Sequence, residues 1–128
     1  MTNVEKVTQG YSDFATGNVE AVLANWDPEI EWHECKGMPF VNGDGIYKGH
    51  EAVVANVLMQ LPVYFDGFNI EVTEIFGAGD KVVMTGYYRG TNKATGNPFE
   101  AAATHVWTAK DGKITHFFQA VDTVSIIS

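Results

Sequence analysis

The spacing of hydrophobic residues changes along the chain from a helical period to a strand period. In the first sixty residues, apolar side chains recur every three or four positions, which predicts three amphipathic helices. The first helix presents Val4, Val7, Tyr11, Phe14 and Ala15 on one face. A second follows Asn18 and includes Trp26, ending at Asp27-Pro28, and a third runs roughly from Glu51 to Leu61, where Pro62 stops it.

The second half of the chain reads as strands separated by turns. Alternating apolar and polar positions predict strands at Phe65–Phe76, Lys81–Gly90, Phe99–Ala109 and Ile114–Val121, joined by glycine-containing turns. A shorter strand, Ile30–Cys35, precedes a glycine-rich loop over residues 37–49. We therefore predict one α+β domain spanning residues 1–128. Its antiparallel or mixed sheet would curve into a cone, with the helices enclosing a pocket.

Composition and charge narrow the classes of partner. The chain has 128 residues and a formal net charge of −8, which suits one soluble domain and disfavours binding to nucleic acid or to an anionic membrane. The single cysteine, Cys35, excludes an intramolecular disulfide. We found no signal-peptide pattern at the N-terminus and no apolar run long enough to span a bilayer, so a cytoplasmic location is expected.

Several short motifs occur in an order that is similar to a known family. They are Glu31-Trp32-His33, Tyr47-Lys48-Gly49, Thr104-His105-Val106-Trp107, Asp111-Gly112-Lys113-Ile114 and the segment from Phe117 to Asp122. Together they resemble the SnoaL-like polyketide cyclases and the ketosteroid-isomerase-like members of the nuclear-transport-factor-2-like superfamily. The resemblance implies a conical fold. It also implies chemistry on small, mostly apolar molecules without a metal or an organic cofactor.

Three residues are candidates for catalysis. The resemblance implies that Asp122, at the end of the last strand, acts as an acid/base, and a count by twos places it on one face with Phe118. His105 would assist Asp122, and Tyr11 would donate its hydroxyl to a substrate carbonyl. The alternatives are a surface cap or ion pair for Asp122, a backbone-bonded core histidine for His105, and a core tyrosine for Tyr11.

Aromatic side chains are candidates for the pocket wall. We predict contact with the ligand for Trp26, Trp32, Trp107, Phe118 and Tyr88, the alternative being that they only fill the core. No metal site is expected, because only His33 and Cys35 share a strand face, and no other histidine stands at ligand spacing from them.

The leading functional hypothesis is a cofactor-independent enzyme that moves a proton next to a carbonyl, in an isomerisation, cyclisation or dehydration. A binding protein for a small apolar ligand and a dimeric interaction module are the alternatives. A homodimer is also expected, through the sheet face that carries Val83, Thr85, Tyr87 and Arg89.

Overall fold

The chain folds into five short helices and one six-stranded sheet. A computed structural model describes residues 1–128. The helices are α1 (Asn3–Ala15), α2 (Val19–Ala24), α3 (His50–Asn56), α4 (Leu61–Tyr64) and α5 (Thr123–Ile127), with a 3₁₀ turn at Leu58–Gln60. The strands are β1 (Trp26–His33), β2 (Ile46–Lys48), β3 (Phe65–Ala78), β4 (Lys81–Asn92), β5 (Pro98–Lys110) and β6 (Lys113–Val121). The predicted α+β class is confirmed.

The sheet is mixed and open, with strand order β2-β1-β6-β5-β4-β3. Only β1 and β6 pair in parallel; the other neighbours are antiparallel. The register of β3 on β4 shifts between Asp66 and Asn69 and again between Val72 and Glu74, and such irregularities bend a sheet. At the second shift, a β-carbon on Gly86 would lie 2.0 Å from the carbonyl oxygen of Glu71, so the close approach of the two backbones requires glycine.

Helix α1 covers the concave side of this curved sheet. Thr2 and Glu5 form a capping box that fixes its first turn, since each side chain accepts a hydrogen bond from the other residue's backbone N–H. The helix packs against β3 and β4, and the buried core lies between them. No helix in the chain combines the length and the apolar character needed to cross a membrane.

The structure corrects several element boundaries. The second helix ends at Ala24, and Trp26 begins β1 instead. Strand β1 tolerates Pro28 because its ladder with β6 is interrupted between Trp26 and Glu31. Pro62 occupies the first turn of α4 rather than stopping a helix, since proline lacks only an N–H that is unpaired there. The loop over 37–49 contains β2, and α5 extends the fold past the last strand.

A bulge in β6 reverses the side-chain alternation that the sequence suggested. Ile114 pairs with Ala109 and His116 with Thr108, so Thr115 is an extra residue on β6. Beyond it, odd-numbered positions such as Phe117 and Gln119 face inward, whereas His116 and Phe118 face outward. A count by twos from Ile114 therefore assigns the rest of the strand to the wrong face.

Candidate functional site

A cavity of about 70 Å³ lies between α1 and the concave face of the sheet. The sheet supplies aromatic walls from three adjacent strands, Trp32 of β1, Phe117 of β6 and Trp107 of β5. These rings are in contact: Trp32 stacks on Phe117 with centroids 3.7 Å apart, and Trp107 lies 4.4 Å from Phe117. Trp26 extends the cluster, 5.2 Å from Trp32. This part of the interior surface is therefore apolar and aromatic, which suits a flat organic ligand.

A wider groove of about 420 Å³ adjoins the cavity. Both are lined by Tyr11, Phe14, Leu58, Leu61, Phe68 and Ile70. These residues come from α1, from the 3₁₀ turn and α4, and from β3, so they separate the interior from the molecular surface. The groove therefore adjoins the cavity along this shared set of side chains.

One carboxyl group is buried in the cavity wall. Glu34, just beyond β1, is 5% exposed, and its Oε1 accepts a hydrogen bond of 2.8 Å from Trp32 Nε1. Burial raises the pKa of Glu34 from its ordinary value of 4.5 to about 7, and the bond from Trp32 offsets only part of that rise. Near neutral pH the group is thus divided between acid and carboxylate, as a general acid/base requires.

His105 occupies the middle of a polar network on the inner face of β5. Its Nδ1 lies 2.6 Å from the Tyr11 hydroxyl, and its Nε2 is hydrogen-bonded to the Tyr88 hydroxyl. The Tyr11 oxygen accepts a bond of 2.8 Å from Trp107 Nε1, and the Tyr88 oxygen accepts one of 3.1 Å from Gln119 Nε2. Burial lowers the pKa of His105 from 6.5 to about 3, so the imidazole is neutral at physiological pH.

The two tyrosines of this network are proton donors rather than phenolates. Burial raises the pKa of each above its ordinary value, and for Tyr88 the nearby Glu34 carboxylate adds to the rise. The Oε1 atom of Gln119 is buried without a hydrogen-bond partner. The cavity thus combines a titrating carboxyl, two neutral hydroxyls and a neutral imidazole among aromatic rings.

The structure brings most of the residues singled out from the sequence to this cavity. Its lining includes Tyr11, Trp26, Trp32, Tyr88, His105 and Trp107. The inner face of β5 carries five buried residues, Phe99, Ala101, Ala103, His105 and Trp107. Whether each of these groups acts on a ligand stays a prediction.

Asp122 and Phe118 lie elsewhere, and the placement expected for both was wrong. Asp122 is exposed and forms the N-cap of α5, where it accepts bonds from the Ser125 backbone N–H and from the Ser125 hydroxyl. It does not pair with His105, whose partners are the two tyrosines. Phe118 is 53% exposed on the outer sheet face. Phe118 faces outward because the bulge at Thr115 reverses the alternation of β6. Asp122 lies outside the cavity because β6 ends at Val121 and α5 begins at Thr123.

Glu34, Phe117 and Gln119 are site residues that sequence reasoning missed. The signal for Glu34 was present, because Ile30, Trp32 and Glu34 alternate along one strand face and the first two are large and apolar. His33 and Cys35, the residues considered as metal ligands, lie on the opposite face of that predicted strand. His33 instead bonds Glu31 at 2.7 Å, and no group of three or more histidine, cysteine or acidic side chains is placed to hold a metal ion.

Comparison with known proteins agrees with this geometry. A structure of an NTF2-like protein from Burkholderia thailandensis is 34% identical, superposes with a TM-score of 0.92, and the match covers 99% of this chain and 95% of that one. An NTF2-like protein from Burkholderia pseudomallei is 27% identical (TM-score 0.87, coverage 99% and 96%). TerC, in a structure co-crystallised with polyporic acid, is 27% identical (TM-score 0.85, coverage 98% and 95%).

Comparison of the sequence with protein families supports the relationship that the solved structures indicate. No curated protein matches the chain significantly. The model of the SnoaL-like domain matches residues 7–117, which include α1 from Val7 onward, strands β1 to β5, the beginning of β6, and the whole aromatic cluster. The resemblance drawn from the motifs is thereby confirmed, and the chain belongs to the SnoaL-like domain family.

Proposed function

We propose that this protein is a cofactor-independent enzyme that moves a proton next to the carbonyl group of a small aromatic or otherwise apolar molecule. The observation that carries the proposal is the buried Glu34 carboxyl, whose pKa of about 7 adapts it to proton transfer at neutral pH. This role is the one that the sequence assigned to Asp122, transferred to the acidic residue that lines the cavity.

The proposed reaction has two steps. Ionised Glu34 takes a proton from the carbon next to the carbonyl. The electron pair of that C–H bond forms the C=C bond of an enolate, and the π pair of the carbonyl moves onto its oxygen. A tyrosine hydroxyl of the His105 network donates a hydrogen bond to that oxygen, which stabilises the developing charge. Protonated Glu34 then gives the proton back and becomes a carboxylate again. Return to the same carbon allows exchange of that hydrogen with solvent, and delivery to another carbon of a conjugated enolate gives an isomer.

The dimensions and the chemistry of the interior indicate the class of substrate. The inner cavity, at about 70 Å³, is smaller than the roughly 150 Å³ that accommodates a benzene molecule. A substrate would therefore place its reacting end beside Glu34 and the remainder in the adjoining groove of about 420 Å³. Stacked walls of Trp32, Trp107 and Phe117 favour flat rings. The co-crystals of the relative TerC with polyporic acid support a ligand of this general kind.

The test requires no knowledge of the natural substrate. Enzyme and 2-indanone, a small aromatic ketone, are mixed in D₂O, and NMR follows the loss of the protons next to the carbonyl. We expect exchange above the buffer rate, and a fall by about two to four orders of magnitude in Glu34→Gln. The matched control is Glu29→Gln, at an exposed position of β1, the strand that precedes Glu34. Equal exchange in wild type and Glu34→Gln would refute the assignment of the base.

A binding protein without turnover is the second candidate, and the small, mostly apolar inner cavity favours it. In that case polyporic acid or 2-indanone would bind to wild type and to Glu34→Gln alike. Neither protein would then accelerate exchange over buffer.

A further inference from the structure

The groups that are hydrogen-bonded around His105 supply one more donor hydrogen than there are contacts between them. Four contacts join five groups in a row: Trp107 to Tyr11, Tyr11 to His105, His105 to Tyr88, and Tyr88 to Gln119. Each indole, phenol and neutral imidazole supplies one hydrogen, and the amide supplies at least one. Five hydrogens for four contacts leave one donor without an acceptor.

The tautomer of His105 decides which hydroxyl is left over. If Nε2 carries the hydrogen, Nδ1 accepts from Tyr11. The Tyr88 oxygen then accepts from both His105 and Gln119, and the Tyr88 hydrogen has no acceptor. If Nδ1 carries the hydrogen, Tyr88 donates to Nε2. The Tyr11 oxygen then accepts from His105 and Trp107, and the Tyr11 hydrogen is free.

Burial favours the second arrangement. Gln119 presents its Nε2 to Tyr88 and leaves its own Oε1 unpaired, so the one acceptor for the Tyr88 hydroxyl hydrogen is His105 Nε2. Because Tyr88 is only 3% exposed, a free hydrogen there would be buried and unsatisfied. Tyr11 is partly exposed and lines both the inner cavity and the outer groove, where its hydrogen can reach water or a ligand. The donors then run in order from Gln119 through Tyr88 and His105 to Tyr11.

We propose that His105 is a positioning residue: Tyr88 holds it in the Nδ1–H tautomer, and His105 thereby directs the Tyr11 hydroxyl hydrogen toward an acceptor oxygen of the ligand. The identity of that oxygen as a carbonyl rests on the proposed function, whereas the tautomer does not. Because the Tyr11 oxygen accepts two hydrogen bonds, from His105 and Trp107, its own O–H is polarised and becomes a stronger donor.

Nitrogen-15 NMR of the histidine-labelled protein tests the tautomer without any ligand. In wild type at pH 7 we expect a pyrrole-type signal for His105 Nδ1 and a pyridine-type signal for Nε2. Tyr11→Phe should leave this pattern unchanged, because Tyr88 still needs Nε2 as its acceptor. Tyr88→Phe should move the pyridine-type Nε2 signal downfield, because that nitrogen loses the hydrogen bond that it accepts from Tyr88. Tyr87→Phe, the adjacent residue on the outer face, is the control.

The ketone-exchange assay supplies a second readout, which covers the case in which Tyr88→Phe fails to fold. His105→Phe removes both ring nitrogens, so it should slow exchange as much as Tyr11→Phe does, and the double variant should be no slower than Tyr11→Phe alone. Additive losses would overturn the proposal, as would an Nε2–H tautomer in wild type or a Tyr88→Phe protein whose Nε2 signal stays at its wild-type position. The Nδ1–H tautomer in a protein without exchange activity would contradict only the proposed function. Glu34-dependent exchange in a protein with the Nε2–H tautomer would contradict only this inference.

Discussion

The buried carboxyl of Glu34 should make folding stability depend on pH in a direction opposite to that of most acidic residues. Burial raises the pKa of Glu34 from 4.5 to about 7, so between these values the folded state holds a proton that the unfolded state has lost. Stability from this group is complete below about pH 4.5 and is lost as pH rises to about 7. The rise in the Glu34 pKa from 4.5 to about 7 corresponds to a loss of about 3 kcal/mol in the free energy of unfolding.

Glu34→Gln isolates this contribution because the amide has nearly the same shape and keeps an oxygen for the Trp32 Nε1 hydrogen. Urea unfolding of both proteins at pH 4 and at pH 8.5 gives the difference in unfolding free energy, in which the other titrating groups cancel. Between pH 4 and pH 8.5, we expect Glu34→Gln to become about 3 kcal/mol more stable relative to wild type. A difference that stays constant between the two pH values would refute the reasoning.

Four further predictions address other parts of the molecule. His105→Gln should make the folded protein less sensitive to acid. Because burial lowers the pKa of His105 to about 3, the free energy of unfolding of wild type should fall by roughly 4 kcal/mol between pH 6.5 and pH 3, and unfolding curves over that range test this. Asp122→Ala should lower the unfolding free energy by about 1 kcal/mol through loss of the α5 cap and leave ketone exchange unchanged. We expect a homodimer through the outer sheet face, converted to monomer by Phe118→Asp; sedimentation that shows only wild-type monomer at high micromolar concentration would contradict it. A strong chelator should leave the melting temperature unchanged, whereas a loss restored by zinc would point to His33 and Cys35.

Much of the architecture could be predicted because its signals are local. The capping box at Thr2 and Glu5, the helical period of α1 and the alternation along β5 each depend on residues close in sequence, and the structure has all three. The inward position of His105 follows from that alternation.

The site itself depends on contacts that no local pattern contains. The network joins Tyr11 to His105 across 94 positions and Tyr88 to Gln119 across 31. The bulge at Thr115 shows itself only in the pairing of β6 with β5, and it alone decides that Phe117, not Phe118, faces the cavity. Likewise Glu34 is buried because the chain beyond β1 stays against the core, where its backbone N–H donates to the carbonyl oxygen of Gly45.

The most direct test of the account is a titration of the Glu34 side chain. Carbon-13 NMR of the labelled carboxyl, assigned by comparison with Glu34→Gln, gives its pKa without reference to any ligand. The account predicts a midpoint near 7, and the same midpoint in the pH dependence of ketone exchange, with the rate rising as Glu34 ionises. A Glu34 carboxyl that titrates near 4.5, or an exchange rate that does not change across its titration, would contradict the claim that Glu34 is the base of this site.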